Sequence, residues 1–333
     1  MFAINKHFSL QLFAETQTTL LAGLSPEMKT YYSDYLIDNA VPKLVHDQFG
    51  QKHPIPKNGG KTIEFRKYSP LAKALTPLTE GVTPAGNKLN VTTLEATVAQ
   101  YGDFIELSDM LMLTAVDNNM VQATKLLGAQ AGATMDTITR EVLVGGTNVL
   151  YSGGVTSRAA LTGGKGDDTD CYLTVDDIMK AVRMLKTQNA EKIGDSFVAI
   201  IHPDLAYDLM HDPAWRDVKT YCDPKDMYEG ELGKIAGVRF VETTEAKVWA
   251  GAGASSRAVY ATLVLGENAY GTTEITGGGL KHIVKQLGSA GTADPLDQRA
   301  TVGWKATKTA ERLVEQFMVR IESCSTWNPT ENN

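Results

Sequence analysis

"SDMLMLTAVDNNMVQATKLLGAQAGATMDTITREVLVGG" runs from Ser108 to Gly146. Ser108 and Asp109 supply the side-chain oxygens that cap a helix start. Val116, Met120, Ala123, Leu127, Ala131, Met135, Ile138 and Val142 follow at steps of three and four. That period places them on one face of an α-helix. The face is sustained for about eight turns, roughly 40 Å at the standard rise. Asp117-Asn118-Asn119 marks either an irregular first turn or the true start, and Gly145-Gly146 after Arg140 ends the helix. A mean globular helix has about 11 residues, so this one sets the frame of an elongated module.

Upstream the sequence turns to strands. Pro54, Pro56, Pro70, Pro77 and Pro84 exclude helix. "KTIEFRKY" (61–68) alternates, with mixed chemistry expected on both faces, and "LNVTTLEATVAQYGDFIELSD" (89–109) is a long β-prone run. Gly81, Pro84, Gly86 and Asn87 mark a turn between them. The expectation is a two-stranded excursion over 55–107. A lone hairpin is marginal in water, so it needs a partner to cover it. Lys57, Lys61, Arg66, Lys67 and Lys73 interleave with Phe65 and Tyr68. Nucleic-acid contact is one reading; charge pairing with the acidic surface of another copy is the one adopted. Further upstream, Ser25, Pro26 and Glu27 open a helix that Pro42 kinks or restarts. The apolar runs of "MFAINKHFSLQLFAET" are broken by Asn5, Lys6, His7, Ser9 and Gln11, so the segment reads as an amphiphilic arm rather than a signal peptide.

Downstream, residues 172–285 read as a compact α/β domain. Thr174-Val-Asp-Asp177 resembles a capping box, and "SFVAIIHPD" (196–204) is a continuous apolar run of the kind covered on both faces. "IAGVRFVETTEA" (235–246) and "RAVYATLVLGENAYG" (257–271) add strands. The chain then returns through "GSAGTADPLDQRATVGWKA" (288–306), where Asp294 and Asp297 sit beside Arg299. Val302, Trp304 and Ala306 share one strand face; Leu313, Phe317, Val319 and Ile321 share another. These two strands are expected to pack on the long helix.

At 333 residues with 43% apolar composition, the chain can bury a large core. A net charge of -7 argues against gripping phosphate as its main task. Cys171, Cys222 and Cys324 have no CxxC spacing and read as reduced thiols. No apolar run is long enough to cross a membrane. His46 and His53, and His202 and His211, lack the four-residue spacing that puts two imidazoles on one helix face. His202 reads as a polar strand-to-helix junction, and Asp204, Asp208 and Asp212 as a solvated acidic stripe. "GAGASS" (251–256) has Ser256 where a dinucleotide fingerprint requires glycine or alanine, so it reads as a loop. No nucleophile and base can be paired.

The order of arm, hairpin, long helix, α/β domain and returning strands resembles the tailed-bacteriophage major capsid proteins, whose fold is shared with herpesvirus shell floors and encapsulin nanocompartments. "YGDFIELSDML" (101–111), "TREVLVGGTNVLYSGG" (139–154), "ELGKIAGVRFVETTEA" (231–246) and "GSAGTADPLDQRATVGWKA" (288–306) are similar to one family of these coat proteins. The likeness covers about residues 20–322. It implies an α+β capsid fold. Its parts would be an N-terminal arm (1–54), an extended β-hairpin loop (55–107), a peripheral domain with spine helix and C-terminal strands (108–171 and 286–333), and an α/β axial domain (172–285).

The same resemblance implies an icosahedral shell of pentamers and hexamers around double-stranded DNA, held without sequence-specific binding. Lys61, Phe65, Arg66 and Lys67 would serve the loop, Asp297 and Arg299 would fix the return turn, Gly303 would permit close approach, and Trp304 would anchor the strand to the spine. No catalytic, cofactor-binding or metal-binding residue is expected, and no membrane. The implied location is the virion capsid, assembled in the host bacterial cytoplasm. Portal and decoration proteins are implied partners. Because the arm is short, a scaffold would be a separate protein. Lys61, Lys67 and Lys73 lie in the loop that some relatives cross-link to asparagine, but no motif identifies a bonding pair. The alternatives are an encapsulin-like compartment and, in a different class, a cytosolic α/β enzyme using a cleft near His202.

Overall fold

The computed structural model describes residues 45–69, 71–78, 80–83, 86–114, 119–163, 171–216, 233–289, 291 and 294–328. The amphiphilic arm, the Ser25 helix, Pro42 and Cys222 fall outside them. Strands β1 (Gln51–Lys52), β2 (Thr62–Tyr68), β3 (Val91–Thr97) and β4 (Ala99–Ser108) lead into helices α1 (Asp109–Thr114) and α2 (Asn119–Val144). After β5 (Val149–Tyr151) come α3 (Val175–Thr187), β6 (Phe197–Ile201), α4 (Pro203–His211), β7 (Lys234–Ile235), β8 (Val238–Glu242) and β9 (Val248–Trp249). Strands β10 (Val259–Leu265), β11 (Tyr270–Thr273), β12 (Lys281–Lys285), β13 (Arg299–Arg312) and β14 (Met318–Ser323) complete the chain.

Local chemistry explains the boundaries. The Thr174 hydroxyl accepts the Asp177 amide at 3.3 Å to cap α3. His202 Nδ1 accepts the Asp204 amide at 3.2 Å, and Pro203 occupies the first turn of α4. Helix α2 ends where Gly145 N–H reaches Glu141 O at 3.1 Å. Its last carbonyls, which have no partner within the helix, are taken by arginines. Arg312 donates to Val142 O at 2.6 Å, and Arg320 donates to Val144 O and, at 2.8 Å, to Gly146 O.

The chain divides into two compact units. The first holds, among the described residues, 100–114, 119–134, 278–289, 291 and 294–307. Here β13 pairs with β4 and, antiparallel, with β12, setting Lys281 opposite Lys305, Ile283 opposite Gly303 and Lys285 opposite Thr301. Ala300, Val302, Trp304 and Ala306 form its buried row. Met120, Ala123, Leu127 and Ala131 of α2 are buried too. Trp304 Nε1 donates to Gln130 Oε1 at 3.1 Å, and Gln130 Nε2 donates to Asp103 Oδ2 at 2.6 Å, so the helix and both strands share one polar tie.

The second unit holds the described parts of 45–99, 135–277 and 308–328. A seven-stranded mixed sheet runs β5-β14-β10-β6-β8-β7, with β9 also on β10. Ile178, Val182, Leu185, Leu205 and Leu209 of α3 and α4 cover one face against Phe197, Ala199 and Ile201. Leu143 and Val144 of α2 and Tyr270 cover the other against Ile200, Leu263 and Leu265. Full burial of each large aliphatic side chain contributes about 1.5–3 kcal/mol. Beside this sheet, β11 pairs parallel with β1 and antiparallel with the end of β13.

Four sequence expectations shift. The two-stranded ladder is β2 with β3 and stops at Thr97, because β4 pairs with β13 instead. On β2, Ile63 and Phe65 are both half-buried while Thr62, Glu64 and Arg66 are exposed, so the two faces are more segregated than expected. The α/β sheet recruits β5 and β14 from outside 172–285. Finally, Ile138 and Val142 are only half-buried; Asp136, Thr139, Arg140 and Leu143 occupy the inner face of α2. Polar residues can take that face because each finds a partner in the second unit.

Candidate assembly surfaces

The hairpin carries the first group of expected residues. Its register places Glu64 opposite Glu95 and Phe65 opposite Leu94. Phe65 meets the His53 ring edge-on, with centroids 5.5 Å apart. The Lys61 carbonyl accepts Val98 N–H at 2.8 Å, which closes the base of the ladder, while its side chain is exposed. Arg66 pairs with Glu64 at 3.3 Å, and Lys67 is exposed. The connection from Ser69 to Asn90 has Leu71, Leu75, Leu78, Val82 and Leu89 at 57–83% exposure. Single exposed aliphatics are ordinary; five in one connection form an apolar surface that asks for cover.

The second group lies in the first unit. Trp304 is buried, with its indole N–H on Gln130 of α2. The return turn is held differently. Asp294 Oδ2 accepts the Arg299 amide at 2.7 Å, and the Arg299 guanidinium pairs with Glu106 at 3.1 Å, closer than the 3.9 Å to Asp294. Asp297 is exposed and adopts φ +51°, so it forms the turn through its backbone rather than by pairing with Arg299. A Cβ at Gly303 would lie 2.8 Å from Phe104 Cβ and 2.9 Å from the Asp103 carbonyl, so only glycine fits. An open cleft of about 650 Å³ lies over this point, lined by Phe104, Ile283, Lys285, Arg299 and Lys305.

Sequence reasoning missed a buried polar knot in the second unit. His46 and Asp136 are both fully buried; Asp136 accepts the His46 amide at 2.8 Å and contacts its Nδ1 at 2.6 Å. Asp47 Oδ1 accepts from the Thr139 hydroxyl at 2.6 Å, and its Oδ2 accepts from Lys308, which also donates to Met135 O at 3.1 Å. Burial pushes the Lys308 ammonium below the ordinary lysine range, against the opposing pull of Asp47 and Asp136. Tyr270 donates its hydroxyl to His46 O, and burial raises its pKa. The only sequence hint is the charge of Asp136 beside the apolar row of α2.

The chemistry-bearing candidates are used structurally. His202 caps α4, as its junction position suggests, and desolvation lowers its pKa. The acidic stripe is only partly solvated: Asp208 is buried and accepts from Thr326 at 2.6 Å, while the half-exposed Asp204 and Asp212 accept from Tyr260 at 2.6 Å and from the Val175 amide at 2.8 Å. "GAGASS" is a loop with one 3-10 turn, Ala254–Ser256. Cys171 and Cys324 are buried free thiols. Among the described residues no His, Cys, Asp or Glu group could hold a metal ion, and no helix is long and apolar enough to cross a membrane.

The sequence profile described as "Phage capsid protein" matches residues 85–286. No curated protein matches the chain. Among solved structures, the chain is similar to the capsid of Ralstonia phage GP4, at 15% identity and TM-score 0.65, covering 100% of both chains. It is similar to the cyanophage Pam1 capsid at 13% identity and TM-score 0.66, covering 97% of this chain and 100% of that one. The head of Helicobacter pylori bacteriophage KHP40 matches at 10% identity and TM-score 0.56, covering 97% and 98%.

Proposed function

This chain belongs to the phage capsid protein family and is a major capsid protein, and we propose that it self-assembles through pentamers and hexamers into an icosahedral shell around double-stranded DNA. The apolar connection Ser69–Asn90 carries this proposal, because Leu75, Leu78 and Leu89 are 72–83% exposed. Laid over a neighbouring copy, the hairpin would cover them and add to an interface of about 1,600 Å² or more. Lys61, Arg66 and Lys67 would then pair with acidic groups of that neighbour, while Phe65 holds the hairpin base. Trp304 would keep the returning strand on the spine helix α2, with Asp297 and Arg299 shaping the turn before it.

In the same proposal, residues 1–54 form an arm, 55–107 the extended loop, 108–171 with 286–333 the peripheral domain, and 172–285 the axial domain. The subunit is structural rather than enzymatic, consistent with a histidine and three aspartates that each serve a structural hydrogen bond. It is built in the host cytoplasm and ends in the virion, meeting a separate scaffold, a portal and decoration proteins. Negative-stain microscopy and sedimentation of the purified chain test this. Closed shells, tubes or capsomers are expected; a single copy at high concentration would refute it.

A further inference from the structure

We propose that the exposed face of the β12-β13-β4 sheet is a sequence-independent contact surface for duplex DNA. The proposal rests on the capsid function above, since it identifies which surface meets the enclosed polyanion. The ladder sets Lys281 directly opposite Lys305, and both are exposed. Like charges directly opposite each other destabilise a sheet. Lys285 lies two pairs along the same face, roughly 14 Å from Lys281 at the strand rise. None of these three lysines has an acidic partner among the described residues. The nearby Glu106 is engaged with Arg299 at 3.1 Å. This concentration of positive charge stands on a chain whose net charge is -7.

The shape suits an extended anion. Gly303 lets β4 approach β13 closely beneath the cleft, and Phe104 and Ile283 add apolar lining to it. Two carboxylates also line the cleft, but Asp103 accepts from Gln130 at 2.6 Å and from the Phe104 amide at 2.8 Å, and Glu106 pairs with Arg299, so the charges left without an opposite partner there are the lysines, which attract a counter-ion. The hairpin of another copy is a poor occupant. Residues 55–98 carry Lys57, Lys61, Arg66, Lys67, Lys73 and Lys88 against Glu64, Glu80 and Glu95, so it is itself basic. Lysine is a flexible point charge suited to phosphate, and phosphate contact alone carries no base reading.

The test uses the full chain and two unrelated 40-base-pair duplexes, titrated with salt and followed by fluorescence anisotropy. Each phosphate contact contributes about 0.9 to the slope of log affinity on log salt. The triple variant K281Q/K285Q/K305Q is expected to lose about 2–3 of that slope with both duplexes, while K281R/K285R/K305R retains it and R183Q/K186Q/K192Q, at exposed positions of the second unit, leaves it unchanged. Circular dichroism melts establish that each variant folds; if the glutamine variant does not, single substitutions that fold are each expected to lose about 0.9. An unchanged slope in folded variants, or no DNA binding by the wild type, overturns the proposal. So does loss of binding to a poly-glutamate peptide with DNA binding retained, which would assign the face to an acidic protein. Sedimentation of the same samples separates the two levels: shells with an unchanged slope reject this surface alone, whereas a chain that never associates rejects the shell function.

Discussion

His46 and Asp136, 90 positions apart, meet where neither side chain touches solvent, and the carboxylate takes both the backbone amide and the ring of the histidine. A buried carboxylate held in this way is weak evidence of stability in itself, but removing it strands the groups that face it.

Asp136→Ala is therefore expected to destabilise the chain by about 1–3 kcal/mol for each buried group of His46 left without its partner. Urea or thermal denaturation measures it. A loss below about 0.5 kcal/mol, typical of surface changes, would show that the contact carries little.

Lys308 predicts a pH dependence. Its folded pKa lies below the ordinary lysine value of 10.5, chiefly through desolvation. Between the folded value and 10.5 the unfolded chain holds more protons, so stability from this group rises with pH across that window. Below the window the unfavourable burial of the ammonium is felt in full. Lys308→Met removes the rise. The raised pKa values of Tyr260 and Tyr270 give an opposite slope at high pH, but they are present in both proteins and cancel in the comparison. Denaturant midpoints of the two proteins, compared across pH 8–10.5, should diverge; parallel curves would contradict the assignment.

Gly303→Val places a side chain against Phe104 Cβ and the Asp103 carbonyl. Overpacking of this kind costs about 1–3 kcal/mol, and the melting temperature should fall accordingly. An unchanged melt would mean that β4 yields freely at Phe104.

Leu75→Ser, Leu78→Ser and Leu89→Ser act at exposed positions. Combined, they should leave the melting curve of the unassembled chain within about 0.5 kcal/mol per site yet abolish assembly. Sedimentation reads the second effect. Normal shells from the triple variant would show that this apolar connection is not an interface.

Burial pushes the Cys324 thiol up to about 12, and Cys171 is only 1% exposed. Since the thiolate is the reactive form, both should resist iodoacetamide at pH 8 and react after unfolding. Peptide mass mapping distinguishes them from Cys222. Rapid native labelling of Cys324 would contradict its buried setting.

Local structure is legible wherever the decisive interaction is close in sequence. Glycines end α2, Thr174 caps α3, and the apolar run 197–201 is buried throughout. The buried knot was illegible because a charged residue flanking an apolar helix face looks solvated until its partner is known. Asp47 and Lys308 are 261 positions apart, and no spacing rule links them. The burial of Asp208 is illegible for the same reason: its partner Thr326 lies 118 positions away. The facing of Lys281 and Lys305 depends on strand register, which composition alone leaves open.

Strand β14 lies between β5 and β10, so an interior member of the seven-stranded sheet is the last of its strands in chain order. On the ribosome, that slot stays empty until residues 318–323 have emerged. A prematurely terminated product would keep two strand edges bare and could not present finished contact surfaces to its siblings. The topology thus makes the closing of this sheet wait for a strand synthesised after every other strand in it.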